Sequence, residues 1–269
     1  MTAAIGDVVV WERLPQRLPA DAIRISVVIP TLQEERGIES LLNRFDDATI
    51  QEWGIEIIVS DGGSTDATVQ IAQRYADRIA VYRGQRRQTI AEGRNIGAQL
   101  GCGETFVFLN ADCVPANWEQ FWSVLTEWSR GNGPYAHCVA LAAPVEIAPQ
   151  QRQWSDRIVH GIFNAYLRCA VALGAGVGRG ECQIVRRWLF ERIGGYDSAL
   201  AAGEDFEFMH RARRWTPIAL PKELLVYESP RRYRRWGYRR ILWQWFINWV
   251  NAVFLHRSIV SEWLPVREE

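Results

Sequence analysis

The sequence of 269 residues has almost no lysine, no net charge and no long apolar run. Of its 31 basic residues only Lys222 is a lysine, and 31 acidic residues bring the net charge to zero, which argues against a generic nucleic-acid coat protein. The five cysteines form no CxxC pair, so we expect reduced thiols rather than a disulfide framework or a zinc site. The N-terminus lacks the pattern of a signal peptide, and we expect the protein to stay in the cytoplasm.

The charged and aromatic residues that are present concentrate in particular parts of the chain. Residues 1–112 carry a net charge of −5, residues 113–230 are balanced, and residues 231–269 carry +5. Five of the 13 tryptophans lie from Trp236 onward. This asymmetry predicts a basic, aromatic C-terminal tail that binds a partner.

Short apolar runs alternate with segments of helical spacing along the chain. The runs at 25–29 and 55–59 are continuous and β-branched, which is typical of strands buried on both faces of a sheet. Strands that alternate with helices predict an α/β fold with a mainly parallel sheet flanked by helices. We expect further strands at 79–82, 105–109, 139–147 and 183–185, and helices at 37–47, 66–76, 89–100, 117–128, 154–173 and 204–214.

Polar residues follow three of these strands, at 30–35, 61–66 and 110–112. Ligands of open parallel sheets bind beyond the carboxyl ends of the strands, and these three ends converge if the sheet forms. The segment 61–66, taken alone, also fits a simple turn in which Asp66 caps the next helix. Together the three strand ends predict a ligand site.

Five separated motifs resemble one known family. The segments VVIPTLQEE, VSDGGSTDAT, GRNIGAQLGCGETFVFLNADC, IGGYD and GEDFEFMHRAR occur in the order and spacing of family 2 glycosyltransferases with the GT-A fold. The resemblance covers roughly residues 24–236. It implies a Rossmann-like, mainly parallel sheet flanked by helices, and a nucleotide-sugar substrate.

The resemblance implies a donor site in the first half of the chain. The family's acid after the second strand falls on Asp61 and is implied to bind the uracil or guanine edge. The helix start that matches the family's ARNxG pattern places Arg94, with Asn95 and Gly97, near the donor. The first-strand motif is implied to hold the nucleobase and ribose through Pro30, Thr31, Leu32 and Glu34.

The DxD motif of the family falls on Asn110, Ala111 and Asp112, which are implied to contact the donor. Its last acid, Asp112, is the implied ligand of a Mg²⁺ or Mn²⁺ ion that bridges the donor phosphates. These cations prefer oxygen ligands and accept one or two carboxylates alongside phosphate oxygens. Because Asn110 replaces the first acid, a non-catalytic nucleotide-sugar-binding or scaffold protein with the same fold stays open as an alternative.

The late acidic pair of the family falls on Glu204 and Asp205, the implied catalytic residues. An inverting transfer needs a base opposite the leaving group, and the resemblance assigns this role to Asp205. Glu204 beside it raises its proton affinity by like-charge repulsion. If the acceptor is a lipid phosphate, Asp205 positions it instead. The alternative is a helix start with two solvated acids.

We expect the chain to divide into four parts. Residues 1–23 form an N-terminal extension, 24–112 a nucleotide-sugar-binding half, 113–230 an acceptor-binding half and 231–269 a basic amphipathic tail. The glycine-rich segment 174–180 predicts either a mobile loop over the acceptor site or a plain linker.

The tail joins a polybasic segment to a C-terminal amphipathic helix. Six arginines lie within 231–240, and the apolar stretch 241–255 is interrupted only by Gln244, Asn248 and Asn251, which form one polar stripe. At about 22 Å it is too short for a transmembrane helix. The interpretations are peripheral binding to an anionic membrane surface on its cytoplasmic face, or packing on the core or in a homodimer interface. Nucleic-acid binding is disfavoured because the acidic half would repel phosphate.

Part of the polybasic segment resembles the QxxRW motif of processive family members. Arg232 stands in place of the glutamine, and Arg235 and Trp236 complete the motif. Arg232 or Arg235 is thereby implied to contact the donor pyrophosphate or an anionic lipid acceptor through its two-pronged guanidinium. The resemblance implies an inverting, metal-dependent transfer from a UDP- or GDP-linked sugar to a lipid or glycan acceptor.

Overall fold

A computed structural model describes residues 2–251 of the chain. Its first half contains six strands and four helices. The strands are β1 (Thr2–Ile5), β2 (Val8–Glu12), β3 (Ile25–Thr31), β4 (Ile55–Asp61), β5 (Arg78–Tyr82) and β6 (Thr105–Leu109). The helices are α1 (Ile38–Leu42), α2 (Asp47–Trp53), α3 (Thr68–Tyr75) and α4 (Ile90–Leu100).

The second half is built from shorter strands and longer helices. The strands are β7 (Cys113–Pro115), β8 (Ala140–Ala142), β9 (Val145–Ile147), β10 (Cys182–Arg186), β11 (Ile218–Ala219) and β12 (Val226–Glu228). The helices are α5 (Trp118–Ser129), α6 (Trp154–Ala172), α7 (Arg187–Arg192), α8 (Glu204–Arg213), α9 (Arg231–Trp236) and α10 (Tyr238–Val250).

One large sheet, with the strand order β1-β2-β5-β4-β3-β6-β10-β8-β11, runs through both halves. Its centre, β5-β4-β3-β6, is parallel. Residues Ile25, Val27 and Ile29 of β3 face one hydrophobic core and Val28 faces the other, so the strand is buried on both sides. This arrangement confirms the predicted α/β fold with helices flanking a sheet whose centre is parallel.

The N-terminal extension is a hairpin that continues the sheet. Strand β2 pairs antiparallel with β5, and Val8 lies opposite Tyr82. The hairpin covers the edge of β5, whose backbone groups would otherwise lack partners. The predicted strand at 139–147 is two strands in different sheets, because Pro144 between them has no N–H for a ladder.

The glycine-rich segment 174–180 is a packed wall, so the prediction of a mobile loop is wrong. Residues 176–180 are buried. A Cβ on Gly176 would lie 2.5 Å from the backbone oxygen of Met209, and one on Gly178 would lie 2.5 Å from the Cβ of Ala142. The glycines therefore allow the backbone to lie directly against α8 and β8.

The described part of the tail packs on α6. The buried carboxylate of Asp156 accepts hydrogen bonds from the guanidinium of Arg234 and, at 2.6 Å, from the hydroxyl of Tyr238. The rings of Phe163 and Trp245 lie 5.6 Å apart. Residues 252–269, which include the end of the predicted helix 241–255, lie outside the described residues. Within residues 2–251, none of the helices has the length and apolar character needed to cross a bilayer.

Candidate active site

A cavity of about 450 Å³ opens beyond the carboxyl ends of the parallel strands. This is the position expected for a ligand site in an open α/β sheet. The end of β3, the turn after β6 and the start of α8 all contribute to its wall. Of the predicted site residues, those that line it are Pro30, Thr31, Leu32, Glu34, Arg94, Asn110, Ala111, Asp112, Glu204, Asp205 and Arg232.

Arg94, in the wall of the cavity, forms hydrogen bonds to residues of several predicted motifs. Helix α4 begins at a capping box formed by Thr89 and Glu92, which places Arg94 in its second turn. The buried guanidinium donates to Oε1 of Glu204 at 2.8 Å and to the backbone oxygen of Gly180 at 2.6 Å. It also reaches Oδ1 of Asn110 at 3.3 Å. Arg94 is thus a positioning residue for both the DxD-like turn and the acidic pair.

Asp205 lies in the first turn of α8 and lines the cavity. The helix begins after Gly203, whose φ of 83° lies in the left-handed region that favours glycine. Burial and the negative charge of Glu204 raise the pKa of Asp205 to about 8, although the charge of Arg94 opposes them. Glu204 itself is buried against Arg94, so the alternative of two solvated acids does not describe this pair.

Asp61 is placed differently from the other predicted donor residues. Its side chain is fully buried and is not among the described residues that line the cavity. One carboxylate oxygen accepts from the backbone N–H groups of Gly63 and Ser64, and the other accepts from the hydroxyls of Thr31 and Ser64. Asp61 therefore holds the turn after β4, and Gly62 of that turn reaches the cavity instead.

The carboxylates of Asp112 and Glu34 both contact the guanidinium of Arg231, which belongs to the tail. Nη2 of Arg231 lies 2.5 Å from Oε1 of Glu34 and 3.2 Å from Oδ2 of Asp112. The second carboxylate oxygen of Glu34, Oε2, is buried and has no hydrogen-bond partner. Burial raises the pKa of Glu34, against the hydrogen bond and charge of Arg231. Two carboxylates that face a common point, one with an unused oxygen, suit a divalent cation whose other ligands come from phosphate.

Residues 2–251 contain no group of three or more His, Cys, Asp or Glu side chains arranged to hold a metal ion. A cation at Asp112 would thus depend on ligands beyond the protein's own carboxylates, such as donor phosphates.

The model of glycosyl transferase family 2 matches residues 26–194, more than half of the chain. The chain belongs to glycosyl transferase family 2. An uncharacterized glycosyltransferase of Haemophilus influenzae is 26% identical to it over 196 residues, which are 69% of this chain and 60% of that relative. The chain covers smaller shares of two other curated relatives.

Solved structures show that this family 2 chain has the GT-A fold. The mannosyltransferase PcManGT from Pyrobaculum calidifontis, in complex with GDP-Man and Mn²⁺, matches with a TM-score of 0.60 at 20% identity, over 86% of this chain and 64% of that chain. Glucosyl-3-phosphoglycerate synthase from Mycobacterium tuberculosis, in complex with Mn²⁺, UDP and phosphoglyceric acid, matches with a TM-score of 0.58 at 20% identity, over 92% of this chain and 84% of that chain.

Only part of the motif that resembles QxxRW reaches the cavity of this family 2 chain. Arg232 lines the cavity, whereas Arg235 and Trp236 are not among the described residues that line it. Arg235 is exposed, and Trp236 packs at the edge of a separate apolar cluster. Residues of one short helix point in different directions, so a motif read from spacing alone does not place all its members together. The cluster contains Ile147, Tyr233 and Ile241.

The sequence prediction missed four arginines that line the cavity, which are Arg86, Arg87, Arg179 and Arg231. Arg231 is the first of the six tail arginines, and that run was its only signal. Arg179 lies hidden in the glycine-rich segment and is buried. Its guanidinium donates to Glu181 and Glu228 at 2.6 Å each and lies 4.9 Å from the ring of Trp245. Arg179 therefore links the cavity wall to α10, whose Trp245 and Asn248 also line the cavity.

Proposed function

We propose that this family 2 chain is an inverting glycosyltransferase that moves a sugar from a UDP- or GDP-linked donor to a lipid or glycan acceptor. The observation that carries the proposal is one cavity in which Asp112 and Asp205 both present carboxylates, the latter with its pKa raised to about 8. Nucleotide-sugar or nucleotide complexes of proteins with the same fold support it.

The donor occupies the part of the cavity between β3 and the start of α4. Pro30, Thr31 and Leu32 form one wall, and the backbone at Gly62 and Gly93 lets the nucleotide approach closely. Arg232 supplies a guanidinium suited to the pyrophosphate. Asp61 contributes indirectly, because its hydrogen bonds fix the turn that contains Gly62.

Asp112 and Glu34 would hold a Mg²⁺ or Mn²⁺ ion together with the donor phosphates. When bound, the cation neutralises the charge that develops on the leaving nucleoside diphosphate. Arg231 now lies between these carboxylates, so the cation competes with the guanidinium for the same oxygens.

Asp205 accepts the proton of the acceptor hydroxyl. As it does so, the hydroxyl oxygen attacks the anomeric carbon of the donor sugar, and the bond from that carbon to the donor phosphate breaks. A base with a pKa near the working pH accepts a proton more readily than an ordinary aspartate. Arg94 holds Glu204 against the start of α8 and so fixes the position of Asp205. With a lipid phosphate acceptor, Asp205 serves to position the acceptor.

A non-catalytic nucleotide-sugar-binding protein is the second candidate. The observation in its favour is that Asn110, at the first position of the DxD-like motif, is a neutral amide whose Oδ1 accepts from Arg94, so this position adds no negative charge to a metal site. Binding and turnover measurements separate the two functions. The predicted contacts of the tail with a membrane surface or a second subunit stay predictions.

The deciding experiment is a donor panel of UDP-, GDP- and dTDP-sugars with Mn²⁺, with release of nucleoside diphosphate and transfer to lipid and glycan acceptors measured. We expect turnover with at least one donor, and a loss of about 100-fold or more in Asp112→Asn and Asp205→Asn. Asp47→Asn, on an exposed carboxylate, is the control and should keep full activity. Donor binding without turnover by the wild-type protein would favour the second candidate.

Metal binding has its own test, which does not depend on turnover. Mn²⁺ titration in the presence of UDP or GDP, followed by electron paramagnetic resonance, should show weaker binding in Asp112→Asn. It should show about tenfold tighter binding in Arg231→Gln, because the competing positive charge is gone. Unchanged Mn²⁺ affinity in both variants would remove Asp112 from the metal site.

A further inference from the structure

Helix α6 exposes several apolar side chains and buries mostly polar ones. Its buried residues are Asp156, His160, Asn164 and Leu167. On the opposite side, Trp154, Ile158, Ile162 and Tyr166 follow one another at intervals of four residues, so they form one row along the helix. We call these four residues the exposed row of α6.

The exposed row is open to solvent along its whole length. Trp154 is 78% exposed, Ile162 66% and Tyr166 55%, and Leu173 just beyond the helix is 90% exposed. A contiguous row of this kind is unusual on a soluble surface, where single exposed apolar residues are common. It marks a face that binds an apolar partner.

Helix α10, which packs against α6 through Trp245, also exposes aromatic side chains. Trp243 and Phe246 are 62% and 53% exposed, and their rings stack 6.0 Å apart. The ring of Tyr166 in the exposed row lies 6.2 Å from Phe163, which in turn lies 5.6 Å from Trp245 of α10. A chain of aromatic contacts therefore connects the two helices.

All charged residues exposed on helices α6, α9 and α10 within the described part of the chain are arginines. Arg157 and Arg168 are eleven residues, or about three helical turns, apart and thus lie along one side of the exposed row. The only carboxylate of the three helices in the described residues, Asp156, is buried and held by Arg234 and Tyr238. The exposed arginines are Arg157, Arg168, Arg234, Arg235, Arg239 and Arg240.

This charge pattern distinguishes between partners for the apolar face. In a twofold interface with a second copy, arginines would meet arginines without a carboxylate to pair with, and such an interface needs a self-complementary surface. Aromatic and aliphatic side chains flanked by arginines instead match the boundary between acyl chains and anionic headgroups.

We propose that the exposed row of α6, together with Trp243 and Phe246, binds the surface of an anionic lipid bilayer. The helices lie in the interface, consistent with the finding that none of those described could span a bilayer. This assignment extends the sequence prediction, which considered only the tail, to a helix of the catalytic domain.

The docked orientation has a consequence that rests on the proposed function. Helix α10 contributes Trp243 to the bilayer face, while its Trp245 and Asn248 line the cavity. A bilayer bound to the side of α10 that carries Trp243 therefore lies within one helix diameter, about 10 Å, of the cavity. This favours an acceptor that is itself anchored in the membrane over a glycan in solution.

Vesicle flotation of the full chain tests the docking face. Phosphatidylcholine vesicles with and without phosphatidylglycerol are the probes, and the key variant is Ile158→Glu/Ile162→Glu. We expect the wild-type protein to float with the anionic vesicles only, and the double variant to bind about tenfold or more weakly, since two charges replace apolar contacts. Trp188→Glu, at a 53% exposed apolar residue on the separate helix α7, is the matched control and should bind like the wild type.

A second variant tests the charge argument. Arg157→Gln/Arg168→Gln should lower binding to anionic vesicles by about tenfold or more at low salt, since each arginine near such a surface contributes roughly fivefold. Circular dichroism and thermal unfolding check that each variant folds.

Three results would overturn the docking proposal. The wild-type protein could stay unbound at every lipid composition, or the Ile158→Glu/Ile162→Glu variant could float as well as the wild type. Alternatively, light scattering could show a wild-type dimer that this variant dissociates, without vesicle binding by either. Nucleoside diphosphate release in solution is measured separately, so failure to dock leaves the proposed function standing, and failure of turnover leaves the docking result standing.

Discussion

At the level of single residues, the burial of Asp205 sets the pH at which the proposed base becomes active. Burial and Glu204, opposed by Arg94, raise its pKa to about 8. Because only the deprotonated carboxylate accepts a proton, we expect kcat/KM to fall about tenfold per pH unit below about pH 8. An aspartate with the ordinary pKa of about 3.9 would leave kcat/KM flat over this range. The measurement is the pH dependence of kcat/KM for transfer to a hydroxyl acceptor.

Glu204→Gln provides the internal comparison. Removing the negative neighbour lowers the pKa of Asp205, so the acidic limb of the profile should move to lower pH in this variant. A wild-type limb that already lies near pH 4 would contradict the assignment of Asp205 as a buried base.

Gly180 sets the position of the same carboxylate. A Cβ at residue 180 would lie 2.8 Å from Oδ2 of Asp205. We expect Gly180→Ala to displace the carboxylate and reduce kcat by about tenfold or more while leaving the donor Kd unchanged. Gly161→Ala on α6 is the control, because nothing lies within 4 Å of a Cβ there. It should keep kcat and raise the free energy of unfolding by roughly 0.5–1 kcal/mol. Equal kcat values in the two variants would count against a steric role for Gly180.

At the level of elements, the buried runs of the sheet were predictable and its edges were not. Strands β3 and β4 carry β-branched residues at nine of their fourteen positions, a pattern typical of strands buried on both faces. The sequence predicts only an N-terminal extension where β1 and β2 lie, because the role of these strands appears only when β5 offers an open edge. The separation of β8 from β9 is indicated in the sequence by Pro144, which cannot donate a backbone hydrogen bond. Hydropathy alone does not detect this break.

The attachment of α10 to α6 depends on one buried carboxylate. Burial raises the pKa of Asp156, but the hydrogen bonds from Arg234 and Tyr238 outweigh burial and hold this pKa well below its ordinary value. We expect Arg234→Gln to lower the free energy of unfolding by about 1–2 kcal/mol in urea at neutral pH. Because the folded-state pKa is depressed, this contribution is fully present above the unfolded-state pKa of about 3.9 and is lost as the pH falls below it.

Arg239→Gln, at an exposed position of α10, is the comparison for Arg234→Gln and should unfold like the wild type. A loss of stability of the same size in both variants would mean that the ion pair with Asp156 does not anchor the helix.

At the level of the whole molecule, the site is assembled from parts that are far apart in sequence. The three strand ends were predictable because parallel strands must place their carboxyl ends at one edge of the sheet. The contact of Arg231 with Glu34 joins residues 197 positions apart, and no pattern in the sequence indicates it. The burial of the Asp61 side chain was equally unpredictable, since a sequence motif identifies a residue but not the direction of its side chain. The net charge of zero is a sum over regions of opposite charge. Residues 1–112 are acidic overall, whereas the exposed charged residues of the described parts of α6, α9 and α10 are all arginines.

The buried pair of Arg94 and Glu204 directly links α4, in the first half of the chain, to α8 in the second. Both side chains are less than one-tenth exposed, so removing one leaves the other charge buried without its partner. We expect Arg94→Met and Glu204→Gln each to lower the free energy of unfolding by about 3 kcal/mol, measured in urea. The double variant should lose about 2 kcal/mol less than the sum of the two, because the residues interact directly. Strictly additive losses would show that the pair does not couple the two halves of the chain, and the position of Asp205 would then have to rest on other contacts, such as the packing of Gly180 and the hydrogen bond from Gln183 to the backbone oxygen of Asp205.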